Sequence, residues 1–324
     1  MKNNGKWFYA FEAVLAVMVV ILAVMMKRKN GEDIDRISVV IQNSEDSQWA
    51  AFRYGLKMAA QDQEIELVIA STAETMTEEE EISAIYQEIE HGADAIIVQP
   101  VSGKNIYCKL KKLQKKALIM LVESDALVVQ DSSRIPAVEP DHYAMGRTLA
   151  EELLNDYNGN LKGKAIGIIT GQNQQGEAVR KRRQGFEDTL EGTGAKVKWT
   201  VSCSLDETED RFLEEQSSVD IAVALDNHSL IVAGQYAEAN NLHGALVYGI
   251  GNSTEAVYGL DIGAVECLIV PDTFSMGYQS VTQTAQSLKQ YFHKMEGKMV
   301  SFTAIRREEL FLEKNQEILF TMSQ

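Results

Sequence analysis

The chain has 324 residues, 31 Lys+Arg against 47 Asp+Glu, a net charge of −16 and 45% hydrophobic residues. That acidity repels nucleic acid, while the hydrophobic content excludes a disordered chain and supplies sizeable cores. Cys108, Cys203 and Cys267 are odd in number without C-x-x-C spacing, and the five histidines lack metal-ligand spacing; neither a disulfide framework nor a metal centre is expected.

The first element is an apolar run from Trp7 to Met26, broken only by Glu12. At ~1.5 Å per residue such a run spans a ~30 Å hydrocarbon core. It ends in Met25-Met26-Lys27-Arg28-Lys29 with no small-residue cleavage site, so residues 1–30 are read as an uncleaved single-pass membrane anchor. No cysteine follows before Cys108, which argues against a lipid-modified terminus. Lys2 and Lys6 flank one end and Lys27, Arg28 and Lys29 the other, a count that tips towards a cytoplasmic body. Residues 31–35 form a short linker. Without the first thirty residues, which carry five basic groups and Glu12, the body holds 26 Lys+Arg against 46 Asp+Glu, a net −20.

From Arg36 onward short apolar runs recur: Ile37–Ile41, Ile65–Ala70, Ala95–Val98, Ala117–Val122, Ile135–Val138, Ala165–Thr170, Val197–Val201, Ile221–Leu225, Ala245–Ile250 and Ala264–Val270. Each suits a strand buried on both faces. Amphipathic stretches of helical length alternate with them at Trp49–Gln61, Thr77–His91, Ser102–Lys116, Tyr143–Asp156, Glu177–Leu190 and His228–Asn240. The alternation predicts parallel sheets with helices on both faces. Gly92 and Gly194, just ahead of strands, are placed to end helices in the left-handed conformation. The acidic run Glu78–Glu81 reads as a solvated first helical turn.

Ligands of open α/β sheets bind at the carboxyl ends of strands, and there the sequence is polar and aromatic. Gln42 to Trp49 follows the first strand, Glu123 the fourth and Asp141 the fifth. Gly171-Gln172-Asn173 leads towards Arg180, and Asp226-Asn227-His228 follows a later strand. Carboxylates accept from hydroxyls, Arg donates a planar fork, and Trp covers the C–H face of a sugar ring. Together these groups fit a polyol.

Several strings carry a family resemblance over Arg36 to Leu319: Asp46-Ser47-Gln48-Trp49 with Gly55, Gly92-Ala93-Asp94-Ala95-Ile96-Ile97-Val98-Gln99-Pro100, Asp141 with Gly146, Arg180-Lys181-Arg182-Arg183-Gln184-Gly185-Phe186, and Asp272-Thr273-Phe274-Ser275-Met276-Gly277-Tyr278. The chain resembles the ribose-binding protein family of periplasmic type I sugar-binding proteins, which share their fold with Lac-repressor effector domains. The resemblance implies an α/β fold of two doubly wound parallel-sheet lobes joined by a three-strand hinge, here preceded by one transmembrane helix. One lobe takes residues 36–139 and 272–301, the other 140–271 and 302–319. It implies ligand contacts from Asp46, Gln48, Trp49, Glu123, Asp141, Arg180, Asp226 and Asn252. Competing roles stay open: a core position for Trp49, helix caps for Asp141 and Asp226, and a surface ion pair for Arg180, with Lys181, Arg182 and Arg183 a solvated face.

Three positions depart from the family pattern: Gly251 in place of an Asp, Pro271 in place of a Gln, and Ser124 in place of an Arg, with Asn252 a partial substitute. They argue against ordinary ribose or glucose. Gly249-x-Gly251 is an incomplete dinucleotide fingerprint, and phosphate loop and G-x-S-x-G elbow are missing, so neither enzyme activity nor cofactor is expected. The resemblance implies an extracytoplasmic body that captures a small sugar or polyol and delivers it to an ABC transporter permease. The alternative is an anchored sensor that signals to a membrane histidine kinase. A cytoplasmic regulator would lack the helix-turn-helix of the repressors.

Overall fold

The computed structural model describes residues 12, 14–20, 34–103, 105–124, 135–171, 176–203, 213–290 and 294–322. The chain divides into two units, Met1–Asp35 and Arg36–Gln324. In the first, Glu12 and residues 14–20 are helical and exposed. The rest of the expected anchor and most of the linker lie outside the described residues. Among the described residues no helix is long and apolar enough to cross a membrane.

The second unit opens with β1 (Arg36–Val40), α1 (Ala50–Asp62), β2 (Glu66–Ile69), α2 (Glu78–Glu90), β3 (Ala95–Val98), α3 (Ile106–Leu113), β4 (Leu118–Val122) and β5 (Ala137–Pro140). It continues through α4 (His142–Asp156), β6 (Ala165–Thr170), α5 (Glu177–Leu190), β7 (Lys196–Ser202), β8 (Ile221–Ala224), α6 (Asn227–Glu238), β9 (Leu246–Ile250), α7 (Thr254–Asp261) and β10 (Cys267–Pro271). It closes with α8 (Thr273–Lys289), β11 (Lys298–Val300), β12 (Phe302–Arg306) and α9 (Glu313–Met322).

The strands form two six-stranded sheets, ordered β11-β5-β4-β3-β1-β2 and β12-β10-β9-β8-β6-β7. Every pairing is parallel except β10 with β12, where Ile269 faces Ala304. The chain passes between sheets after β5, β10 and β11. Strand order reverses at β1 in one sheet and at β6 in the other, and at such switch points the loops diverge to leave a crevice.

Central strands are buried on both faces, as in the Ala-Ile-Ile-Val of β3 and the Ile-Ala-Val-Ala of β8. Around the first sheet, Phe52, Leu56 and Met276 fill one side and Ile85 and Leu110 the other. Around the second, Met145, Leu149 and Phe186 cover one side and Leu230 and Leu260 the other. Two helix crossings are very close. A β-carbon on Gly55 would lie 2.1 Å from the Phe274 carbonyl oxygen, and one on Gly146 would lie 1.8 Å from that of Arg182. Gly277 and Gly185 meet backbone at 2.3 and 2.0 Å from the facing helices. Only glycine allows α1 to reach α8, and α4 to reach α5, at this separation.

The ten predicted strands all appear. The Ala95–Val98 and Ala165–Thr170 bounds agree fully, and the predicted Ala264–Val270 begins only at Cys267. The predicted Ser102–Lys116 helix shortens to α3. Gly92 and Gly194 have φ of +92° and +82°. β11, β12, α7, α8 and α9 were not predicted. β11 and β12 are edge strands with little continuous apolar surface. In α8 the core face includes Thr273, Ser280 and Thr284, and the hydroxyls of Ser280 and Thr284 donate to the carbonyls of Met276 (2.6 Å) and Ser280 (2.7 Å). Back-bonding of this kind buries polar residues and hides the apolar period.

The acidic run divides. Thr77 and Glu80 form a capping box at the start of α2, whereas Glu81 turns inward and is 1% exposed. Its Oε1 accepts from the Val101 amide at 3.0 Å, and its Oε2 is buried without a hydrogen-bond partner among the described residues. Burial pushes its pKa up to about 8. The sign follows directly: between the ordinary carboxylate range and pH 8 the folded chain holds a proton that the unfolded chain releases, so stability falls as pH rises through that window. Glu81→Gln keeps an acceptor for Val101 without the charge. Its melting temperature, followed from pH 5 to pH 8, is expected to fall less steeply than that of the wild type; parallel profiles would refute this.

Candidate functional site

The loops at the carboxyl ends of β1 to β4, β6 and β8 to β10, together with α5 and α6, line a half-open cavity of about 200 Å³. This is below the roughly 300–1,000 Å³ of drug-sized sites and suits one small ring. Six of the eight sequence-predicted residues line it: Asp46, Gln48, Trp49, Glu123, Asp226 and Asn252. Asp141 and Arg180 do not.

Asp46 caps the 3-10 turn Ser47–Trp49. Its Oδ1 accepts from the Gln48 amide at 2.9 Å and its Oδ2 from Asn43 Nδ2 at 3.0 Å. Trp49 is 4% exposed, donates from Nε1 to the Gln42 carbonyl at 3.0 Å and meets Phe52 edge-on at 5.4 Å. It is therefore at once a core residue and a wall of the cavity. Asp226 likewise has two roles: it lines the cavity and caps α6, accepting from the Gly171 amide at 2.6 Å and the Ser229 amide at 2.9 Å. His228, in the first turn of α6, also lines the cavity. Its Nε2 is buried without a hydrogen-bond partner among the described residues.

The placement of Arg180 corrects the expectation. Its side chain is 53% exposed and pairs with Glu177, three residues earlier on the same helix. Arg182, read from the sequence as part of a solvated face, instead lines the cavity and is 6% exposed. Helical geometry accounts for the difference: Ala178, Arg182, Gly185 and Phe186 share the buried face of α5, and residue 180 points away from it. Asp141 caps α4 through the Ala144 amide at 2.8 Å, the cap being the alternative the sequence left open.

Arg182 is the hub of a buried network. Its Nη2 reaches Glu123 Oε2 at 2.7 Å, its Nη1 donates to the Leu225 carbonyl at 3.3 Å, and its Nε donates to His142 Nδ1 at 3.3 Å. His142 is fully buried. Burial first, then the nearby guanidinium, holds its pKa well below the usual histidine range, so the ring is neutral with Nδ1 as acceptor. Glu123 follows β4 of the first sheet with φ +51°, a left-handed conformation uncommon for a side-chain-bearing residue. The next residue fixes that turn: Ser124 donates its amide (2.8 Å) and hydroxyl (2.7 Å) to Glu139, which is buried in β5.

Among the described residues, three polar side-chain contacts cross the cleft from one half to the other. Besides Glu123–Arg182, Asn252 Nδ2 donates to the Gln48 carbonyl at 2.6 Å and Ser47 Oγ to Glu255 Oε2 at 3.0 Å. Groups from both halves thus converge on one half-open space with both polar and apolar walls. Its charged walls are the carboxylates of Asp46, Glu74, Glu123 and Asp226 with the guanidinium of Arg182.

Comparison with known proteins agrees with this architecture. Residues 37–291 match the periplasmic binding protein domain, and the chain belongs to that family. A carbohydrate transporter solute-binding protein from Agrobacterium radiobacter, in complex with D-arabinose, has a TM-score of 0.77 at 17% identity, over 89% of this chain and 100% of that one. A solute-binding protein from Bacillus halodurans C-125 with bound myo-inositol gives 0.75 at 20% identity, over 90% and 100%. The XylFII–LytSN complex gives 0.72 at 15%, over 85% and 98%. At these identities the likeness is one of fold. No curated protein matches the chain.

Removing one partner of a buried ion pair typically costs about 3–5 kcal/mol, whereas an exposed substitution stays within about 0.5 kcal/mol. Arg182→Met is therefore expected to lose a few kcal/mol in urea unfolding, with part recovered when Glu123→Gln is added, and Arg180→Ala to change little. Equal losses for Arg182→Met and Arg180→Ala would show that the ion pair is misassigned.

Proposed function

We propose that the chain is an extracytoplasmic solute-binding protein that captures a small sugar or polyol between its two halves and delivers it to an ABC importer. The observation that carries this reading is the convergence of Asp46, Gln48, Trp49, Glu123, Arg182, Asp226 and Asn252 from both halves on one small cavity. A ring seated there accepts and donates hydrogen bonds to both halves at once. It binds the closed arrangement better than an open one, and that difference in affinity drives closure. The site is built for binding: Asp46 and Asp226 are held as caps and Glu123 in an ion pair. The family and the solved relatives, solute-binding proteins with arabinose or inositol, support the same reading.

In this proposal the apolar segment Trp7–Met26 anchors the chain in the cell membrane with the body outside the cytoplasm. Tethering confines it to the surface where a permease would receive it. The second reading is a sensor, in which the closed form contacts a membrane histidine kinase. The fold shared with the XylFII–LytSN complex favours keeping it. Loss of the body to protease added to intact cells would support the outward orientation, and survival would overturn it.

A thermal-shift screen of pentoses, hexoses and inositols tests the binding reading. A ligand at a hundred times its dissociation constant adds ~2.7 kcal/mol to stability. Asn252→Ala and Gln48→Ala, both at cavity-lining positions, are expected to lose most of the ligand-induced shift with only a modest change in the unliganded melting temperature. Full binding by both variants would refute the site.

A further inference from the structure

Resting on the sugar or polyol reading, we propose that Glu123 turns the cleft into a charge filter that admits uncharged polyols and excludes their acids and phosphates. An anionic ligand needs a positive partner once water is excluded. Among the described residues lining the cavity, the only Lys or Arg is Arg182, and Glu123, from the opposite half, already neutralises it at 2.7 Å. Both side chains are nearly enclosed, at 8% and 12% exposure. A ligand carboxylate would have to displace Glu123 and strand it as a buried charge, or enter unpaired beside Asp46 and Asp226.

A hydroxyl meets no such obstacle. The guanidinium carries five N–H donors, and the contacts to Glu123, Leu225 and His142 use one on each nitrogen, which leaves two for neutral oxygen acceptors. Asp46 and Asp226 keep lone pairs beyond their capping bonds, so each accepts from a ligand hydroxyl as well. Glu123 cannot relax out of the way at no cost. Its left-handed backbone is fastened through Ser124 to Glu139, which holds the carboxylate towards Arg182.

Isothermal titration of the full chain in mild detergent tests the filter with paired probes: D-arabinose against D-arabinonate, D-galactose against D-galacturonate, and myo-inositol against a myo-inositol monophosphate. The best-bound neutral probe is expected to exceed its charged counterpart by more than about tenfold in affinity. Glu123→Gln, similar in size but uncharged, is expected to cut that ratio at least about tenfold by freeing the guanidinium for the acid. Should that variant not fold, Arg182→Gln supplies the second arm; it leaves the cavity carboxylates unopposed and widens the ratio. A wild-type ratio below about ten, or a ratio unchanged in a folded variant, overturns the filter and leaves the polyol reading standing. Binding of no probe by the wild type overturns the polyol reading, and the filter falls with it.

Discussion

The buried ion pair between Glu123 and Arg182 ties the two halves of the body to each other and to the strands that connect them. Each charge is taken out of water, which costs several kcal/mol per ion, and mutual attraction with complete hydrogen bonding is what offsets that cost. The structure provides the attraction, and hydrogen bonds for three of the five guanidinium donors. Arg182 rests on the buried face of α5 with a carbonyl and a neutral imidazole beneath it. Glu123 is turned into the cleft by a left-handed backbone whose next residue is pinned to Glu139. Glu139 lies in β5, and His142 opens the helix that follows the crossing from that strand to the second sheet. The network therefore spans a connection between the sheets, and a shift in it reaches the backbone that joins them.

Close helix contacts give this network a rigid base. Gly146 lets α4 approach the backbone of α5 at Arg182 itself, so the residue that anchors the ion pair is positioned by the same crossing that fills the core. Gly55 and Gly277 do the same for α1 and α8, and α1 follows the loop that holds Asp46 and Trp49. Site geometry and core packing share residues here. A methyl group at any of these crossings would move the cavity walls as well as the helices.

These dual roles explain what the sequence disclosed. Uniform apolar runs such as Ala95–Val98 and Ala165–Thr170 gave strand bounds directly, because a strand buried on both faces admits little else. Edge strands such as Phe302–Arg306 carry no such run. Six cavity residues were legible because loops after strands must carry the site in this kind of sheet. The resemblance points to Arg180, although a count of three and four residues from Gly185, Phe186 and Ala178 places Arg182, and not Arg180, on the inner face. Period, not motif, was the better guide. Asp46, Asp226 and Trp49 could not be divided between structural and binding roles because they are placed to serve both. The inward turn of Glu81 was hidden, since the sequence of α2 shows four consecutive acids and not which one meets Val101.

The energetics of closure follow from the same contacts. Replacing a buried ion pair is often neutral, because solvation lost and attraction gained nearly cancel. Parting Glu123 from Arg182 returns both to water, so the pair contributes little net drive to close, yet it imposes one register on the two halves. The Ser47–Glu255 bond is exposed and contributes less. In the binding reading, the free energy that selects the closed form then has to come from the guest. Shifting a population from 1:99 to 99:1 takes about 5.5 kcal/mol of differential affinity, the yield of two to four hydrogen bonds to charged groups at about 1.5–3 kcal/mol each. In that reading, Asp46, Asp226 and the spare donors of Arg182 supply that number.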